Sequence, residues 1–167
     1  MENTAPTLRF AIIPYGSALY LQMIRLREKI LRIPLGLRFT ADELATEEKD
    51  FHLAALQAAT NSIVACCVLS PLDHQTAKLR QMAVDTAFQR QHVGTALLAF
   101  AEQVAREKGF RIVVLHARMH AVGFYQKQGY RVVSTVFTEV TIPHVQMKKH
   151  LSDDQLSLQE PTPNSAG

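Results

Sequence analysis

The sequence predicts an α/β fold built on one mixed, twisted sheet. Residues 50–84 hold three apolar or alternating runs separated by short polar turns, the pattern of an antiparallel meander. An amphipathic helix follows between two strand-like runs, 79–84 and 111–115, as in a βαβ unit. The chain has 167 residues, 47% hydrophobic and 20% charged, enough for one domain with a sizeable core.

The elements follow in order. Residues 8–13 read as the first strand, stopped by Pro14 and Gly16. Ser17 caps a helix that runs to about Ile33. Leu19, Met23, Leu26 and Ile30 form its apolar stripe; Arg25, Arg27, Glu28, Lys29 and Arg32 fall on its solvated side. Residues 34–40 (PLGLRFT) form a loop with exposed-looking Leu35, Leu37 and Phe39. Such a loop covers a ligand or partner, or tucks onto the core; the residues leave both open. Residues 42–49 read as a short acidic helix begun by Thr40 or Asp42.

Residues 50–57 alternate, with Phe51, Leu53 and Ala55 on one face, and Asn61 turns the chain. Residues 62–69 (SIVACCVL) are continuously apolar, which predicts burial on both faces. Cys66 and Cys67 are neighbours there, face opposite sides, and read as small core residues. Pro71 and Asp73 make the next turn, and 79–84 completes the meander.

From Val93 the period changes to that of a helix, over residues 93–108. Val93, Leu97, Phe100 and Val104 share a face, flanked by Gly94, Leu98, Ala101 and Ala105. Glu102 precedes Arg106 by four residues, the spacing of a surface ion pair, and Gly109 ends the helix. Residues 111–115 are a buried strand and 121–128 a short helix closed by Gly129. Residues 130–136 and 140–148 complete a sheet of about seven strands, with Pro143 at an edge or bulge. Residues 1–151 are expected to form a single domain, and 152–167, without apolar period, a disordered tail.

Net charge is +3 with the cations scattered, so nucleic acid is not an expected partner. No apolar run is long enough to span a bilayer, so no membrane partner is expected. The opening MENTAPTLRF lacks an apolar core, so the expected location is cytoplasmic. The seven histidines, including His116 and His120, match no ligand spacing on one helix, and no metal is expected.

The chemistry concentrates at the entry to the long helix. Gln89, Arg90, Gln91, His92, Val93, Gly94 and Thr95 stand where the first backbone amides lack helical partners. The helix dipole adds partial positive charge, and a phosphate fits there. Gly94 removes a side chain where a ligand could approach.

Three motifs stand out in this order of elements. The first is Gln89–Gly94 (QRQHVG). The second is Ala121–Tyr130 (AVGFYQKQGY). The third is Phe137–Met147 (FTEVTIPHVQM), with His116-Ala-Arg118 and Pro34-Leu-Gly-Leu. Together they resemble the GNAT superfamily of N-acetyltransferases over about residues 8–149, and within it an uncharacterised bacterial subgroup. The family's phosphate loop runs Gln or Arg, two residues, Gly, one residue, Gly or Ala; His92 stands at its first glycine. A second register, residues 91–96, fits the letters fully, but the first suits the apolar positions Val93, Ala96 and Leu97. The family often has Asn three residues before the alanine of the second motif, where this chain has Arg118.

The resemblance implies a sheet splayed between the strands ending at Val84 and Leu115, with acetyl-CoA in the cleft. It implies that the backbone of Met82, Ala83 and Val84 pairs with the pantetheine arm and polarises the acetyl carbonyl. The amides from Arg90 to Thr95 would hold the pyrophosphate, with Gln89 and Arg118 beside the cofactor. Tyr125 would be the general acid for the leaving thiolate. Glu47, Glu48, Asp50, His52, His116, Glu139 and His144 are all titratable; His116, Glu139 and His144 are the named candidates for the base, and a water relay could serve instead. The implied activity is transfer of acetyl to a primary amine of a small molecule or peptide. Acids between Asp42 and Asp50, and Glu139, would suit a cationic amine. A rival is a non-catalytic acyl-CoA-binding regulatory protein on the same fold. The loop from Leu35 to Phe39 would permit a homodimer.

Overall fold

The computed structural model describes residues 7–151; the expected tail, 152–167, lies outside the described residues. Eight strands form one sheet in the order β1-β2-β3-β4-β5-β8-β6, with β7 also on β8. β1 (Leu8–Ile13), β2 (Phe51–Gln57), β3 (Ile63–Pro71) and β4 (Thr76–Val84) form the antiparallel meander. α3 (Val93–Glu107) then crosses to β5 (Ile112–Arg118), which pairs parallel to β4. After the short helix α4 (Val122–Lys127), β5 is flanked on its far side by β8 (Ile142–His150).

The sheet has a core on each face. Cys67, Leu69, Leu79, Val113 and Leu115 pack under Leu97, Leu98 and Val104 of α3. Ala54, Cys66 and Ala83 pack on the other face under Met23, Ile24 and Leu26 of α1 (Ala18–Arg27). The continuous apolar run of β3 is therefore buried on both sides, and its two cysteines are free and point into different cores. Leu97 is wholly buried, so Leu97→Ala would cost roughly 2–5 kcal/mol.

Three details depart from the expectations, and a fourth bears on the loop whose packing was left open. The first helix ends at Arg27, continues as a π-helical turn (Glu28–Arg32) and a 3-10 turn (Ile33–Leu35), and stops at Gly36 with φ 73°. Arg27, expected on the solvated side, is wholly buried because Glu47 meets it there. The acidic helix α2 (Ala41–Ala45) is short, begun by a capping box at Thr40, and Glu47 follows it into the core. Its predecessor loop is tied down: the Phe39 ring lies under the guanidinium groups of Arg27 and Arg32, 4.5 and 4.2 Å from its centroid.

The remaining differences lie late in the chain. Glu102 meets Arg106 as expected, Oε1 to Nη2 at 3.9 Å, but the pair is largely buried rather than at the surface, and the carboxylate also accepts from the Tyr130 hydroxyl and the Lys149 ammonium at 2.9 and 2.8 Å. The two expected last strands are three. β6 is only Arg131–Val132, and β7 is Phe137–Glu139. The ladder breaks because the Ser134 hydroxyl, not a carbonyl, accepts from the Gln146 amide at 2.8 Å. Pro143 sits one residue beyond the last β5–β8 pair, Arg118 with His144, where its missing N–H leaves no rung broken toward β5.

Candidate active site

β4 and β5 pair only from Thr76 to Leu79 against Ile112 to Leu115, then part. The parting has a local cause on β4. Gln81 takes φ 57°, and the single residue Cys67 of β3 lies opposite both Gln81 and Met82, the count of a β-bulge. The bulge turns the end of β4 away from β5 and opens a cleft of about 1360 Å³. A strand end that has lost its neighbour presents backbone donors and acceptors to whatever enters.

The helix entry forms one end of this cleft. Arg90 and His92 both have left-handed φ, 63° and 62°, and His92 is the residue before α3. The first turn of α3, Val93 to Thr95, lines the cleft, and the amides of a first turn have no acceptor within their helix. The Gln89 side chain donates to the Val84 carbonyl at 3.0 Å and ties the loop to the end of β4. Gly94 sits close against its neighbours: a Cβ there would meet Phe124 and Val84 at 3.6 Å.

Of the sequence-derived cofactor residues, Met82, Val84, Gln89, Arg90 and Arg118 line the cleft, as do His92, Val93, Gly94 and Thr95. Ala83 and Gln91 do not: the Ala83 side chain packs under α1, and Gln91 is exposed, donating to the Ala87 carbonyl at 3.2 Å. Arg118 donates to the Leu31 carbonyl at 2.8 Å, which ties the end of β5 to the end of the first helical segment.

Tyr125 also lines the cleft, 7% exposed, with its ring edge-on to Phe124 and Tyr130. Burial pushes its phenol well above the usual tyrosine range, with Cys67 adding to the effect. The group is protonated at neutral pH, as an ordinary phenol is, and its O–H is available as a donor.

The named base candidates meet around one carboxylate. His116 Nδ1 is 3.1 Å from Glu139 Oε1, and His144 Nε2 is 3.8 Å from Glu139 Oε2. Burial works against the Glu139 charge, but the hydrogen bond and charge of His116, with Lys78 and His144, hold its carboxyl below the usual range. An ionised carboxylate only accepts, so Nδ1 of His116 carries the proton and Nε2 keeps its lone pair in the neutral ring. His144 donates from Nδ1 to the Ile142 carbonyl at 2.9 Å. Phe137 lies against both imidazoles.

The wider set of titratable residues does not gather here. Glu47 and His52 are buried in the core under α1, Glu48 is exposed, and Asp50 pairs with Arg80 at 3.6 Å. Among the described residues no group of three or more His, Cys, Asp or Glu is placed to hold a metal ion, and no helix is long and apolar enough to cross a membrane.

Residues 20–130 match the Acetyltransferase (GNAT) family. The chain belongs to the GNAT acetyltransferase family. The Bacillus subtilis protein YyaT is 38% identical over 77 residues, 46% of this chain and 52% of that protein. The chain spans about half the length of the curated relatives it matches, or less. An acyl-CoA N-acyltransferase from Pseudomonas aeruginosa superposes with a TM-score of 0.73 at 21% identity, over 86% of this chain and 99% of that one. A GNAT family acetyltransferase from Elizabethkingia anophelis with acetyl-CoA bound gives 0.66 at 20% identity, over 86% and 98%. At such identities the likeness is one of fold.

Within this GNAT fold, the sequence reading missed two features of the cleft. Lys78 and Arg80 line it, one residue apart on β4 with core-facing Leu79 between them, so period-two alternation could have found them. The turn Val140-Thr141 holds two β-branched residues at φ 49° and 67°, where Asn-Gly would be expected, so its composition gives no warning.

Proposed function

We propose that the chain is an N-acetyltransferase that moves the acetyl group of acetyl-CoA to a primary amine of a small molecule or peptide. Its main support is the parting of β4 from β5 beside a helix N-terminus, with the Tyr125 phenol on the same wall. The residues fit the co-substrate. The free edge of β4 from Arg80 to Val84 offers backbone groups to an amide-rich arm, and the loop from Arg90 to Thr95 offers amides and a guanidinium to a pyrophosphate.

The chemistry then follows from the side chains. The amine enters neutral, having left its ammonium proton in solvent; as its nitrogen bonds to carbon, the Nε2 lone pair of His116 takes the N–H proton, while Glu139 holds the ring, and later returns it to solvent. The amine nitrogen bonds to the thioester carbonyl carbon, and the backbone amides near the bulge stabilise the oxyanion. The tetrahedral centre collapses, the carbon–sulfur bond breaks, and Tyr125, on the cleft wall, gives its proton to the departing thiolate. The phenolate recovers a proton from solvent at the mouth of the cleft.

Incubation with acetyl-CoA and a panel of amines, read by free-thiol release and by the mass of the product, tests this. Amine-dependent thiol release with a product 42 Da heavier than an amine is the expected outcome (about one acetyl group replacing hydrogen). Binding of acetyl-CoA without turnover of any amine would favour an acyl-CoA-binding regulatory protein.

A further inference from the structure

The cleft wall carries Arg32, Lys78, Arg80, Arg90 and Arg118, but among the described residues a single acid, Glu139. Arg90 belongs to the helix entry. The other four lie elsewhere. Lys78, Arg80 and Arg118 alternate along their strands with the core-facing Leu79 and Ala117, so they stand on the sheet face opposite α3. Arg32 reaches the same space from the end of the first helical segment. Lys78 precedes Val84, the end of β4, by six residues, about 20 Å of strand away from the helix-entry loop. A pyrophosphate at that loop would not reach it.

Two of these cations are answered within the protein. Arg32 pairs with Glu43 at 3.2 Å and Arg80 with Asp50 at 3.6 Å. Among the described residues neither Lys78 nor Arg118 has a carboxylate partner in ion-pair range. Both are half-buried, and burial lowers the pKa of each; Glu139 partly offsets this for Lys78, and Arg32 adds to it for Arg118. A half-buried cation with no carboxylate in contact is costly unless a ligand supplies one.

The register places the pair around the chemistry. Val114 is the partner of Lys78 across the parallel pair, and Arg118 is four residues further along β5. His116 lies midway on the same face. The distance from Val114 to Arg118 is about 13 Å along the strand, which two long side chains can narrow from either side.

We propose that the acceptor amine carries an oxyanionic group, a carboxylate or a phosphate-like group, held by Lys78 and Arg118 while the amine faces His116 and Glu139. This rests on the acetyltransferase reading above and narrows its substrate class. It replaces the cationic amine that the acids near Asp42 suggest, because those acids lie outside the cleft or are already paired. It also gives Arg118 an acceptor-side task in place of a contact to the cofactor.

The test uses the full chain in three steps. The melting temperature is first measured with acetyl-CoA; a rise is expected, and no rise overturns both this inference and the acetyltransferase reading. The CoA-saturated protein is then titrated with the N-acetyl derivatives of the twenty amino acids, the matching N-acetyl aminoalkylphosphonates and the neutral N-acetyl amides. At least one anionic member should raise the melting temperature further while its neutral match does not, and carboxylate against phosphonate identifies the group. Stabilisation by neutral members alone, or by none, overturns the anionic acceptor while acetyl-CoA binding stands. Lys78→Met should weaken binding of the stabilising anion at least tenfold more than binding of acetyl-CoA, and Lys78→Arg should restore most of it. Equal weakening of both ligands overturns the assignment.

Discussion

The Arg27 guanidinium grips the Glu47 carboxylate end-on, Nη1 to Oε1 at 2.8 Å and Nη2 to Oε2 at 2.6 Å, with neither side chain open to water. Tyr20 donates to the same carboxylate at 3.2 Å, and His52 Nε2 donates to the Glu47 carbonyl at 2.8 Å. The network pins α1 to the turn before β2, and α1 leads into Leu31 and Arg32 on the cleft wall. The part of the cleft wall that carries Leu31 and Arg32 is therefore fixed from behind by a buried ion pair.

Removing one partner of such a pair leaves a buried charge alone, so Glu47→Gln should cost roughly 3–5 kcal/mol. Urea unfolding followed by circular dichroism would measure it, and a loss below about 1 kcal/mol would show that the pair matters little. The pH dependence follows. Burial raises the Glu47 carboxyl, but Arg27 overrides it and holds the group below its usual value. Burial also pushes the His52 imidazole down, and a proton added at its Nδ1 would find no acceptor. A depressed group stabilises the fold fully above its unfolded-chain value, about 6.5 for His and 4.3 for Glu, and that stability is lost as pH falls through the folded value. Stability should thus hold from pH 8 to 7 and decline in acid; a rise between about pH 7 and 5 would contradict this.

The turn Val140-Thr141 joins Glu139 to Ile142, which pair across the β7–β8 hairpin. Left-handed backbone at two β-branched residues stores strain. The double change Val140→Asn, Thr141→Gly suits the turn and should stabilise the protein by roughly 1–2 kcal/mol in the same urea experiment. No gain would mean that the turn is relaxed by its surroundings.

Gly94 separates two effects at the helix entry. A Cβ would make only ordinary contacts with Phe124 and Val84, so Gly94→Ala should melt no lower than the unaltered chain. Gly94→Glu adds a carboxylate beside the proposed pyrophosphate site, and like charges should abolish the rise in melting temperature with acetyl-CoA. A full rise in the glutamate variant would move the phosphates elsewhere.

Glu139→Gln keeps the shape of the side chain and withdraws the charge that orients His116. Acetyl transfer should slow by on the order of 10²-fold, mainly in kcat, with the response to acetyl-CoA unchanged. An unaffected kcat would assign the amine proton to water instead.

What was legible in the sequence is what local pattern encodes. The bounds of β1, the start of α3 and the double burial of β3 follow from apolar period and turn residues alone. The loop and the Ala121–Tyr130 motif lie within one stretch of chain, so they were legible too. Features that need a distant partner were not. Arg27 sits at a polar-looking helix position, and only Glu47, twenty residues on, makes its burial tolerable. The bulge that opens the cleft rests on Gln81 at positive φ without a glycine to mark it. Ser134 ends a strand by a hydroxyl that reaches across to Gln146, which no propensity reports.

Tyr125 follows Phe124 on α4, directly after β5. Phe124 stands near Gly94 and Val84, where its ring packs against the helix entry, and Tyr125 faces the same cleft with a buried, protonated phenol. Tyr125→Phe removes one hydroxyl and little volume, so fold and acetyl-CoA binding should survive. The chemical step should slow by on the order of 10²-fold, the usual size for a lost general acid. That corresponds to roughly 2.7 kcal/mol of transition-state stabilisation. The loss should fall on kcat rather than on the KM for acetyl-CoA, because the hydroxyl is needed only as charge develops on sulfur. A donor with a more acidic thiol should shrink the loss, since its thiolate leaves with less help from a proton. If chemistry limits the rate and the phenylalanine variant turns over as fast as the unaltered chain, Tyr125 is a packing residue and the thiolate takes its proton from water.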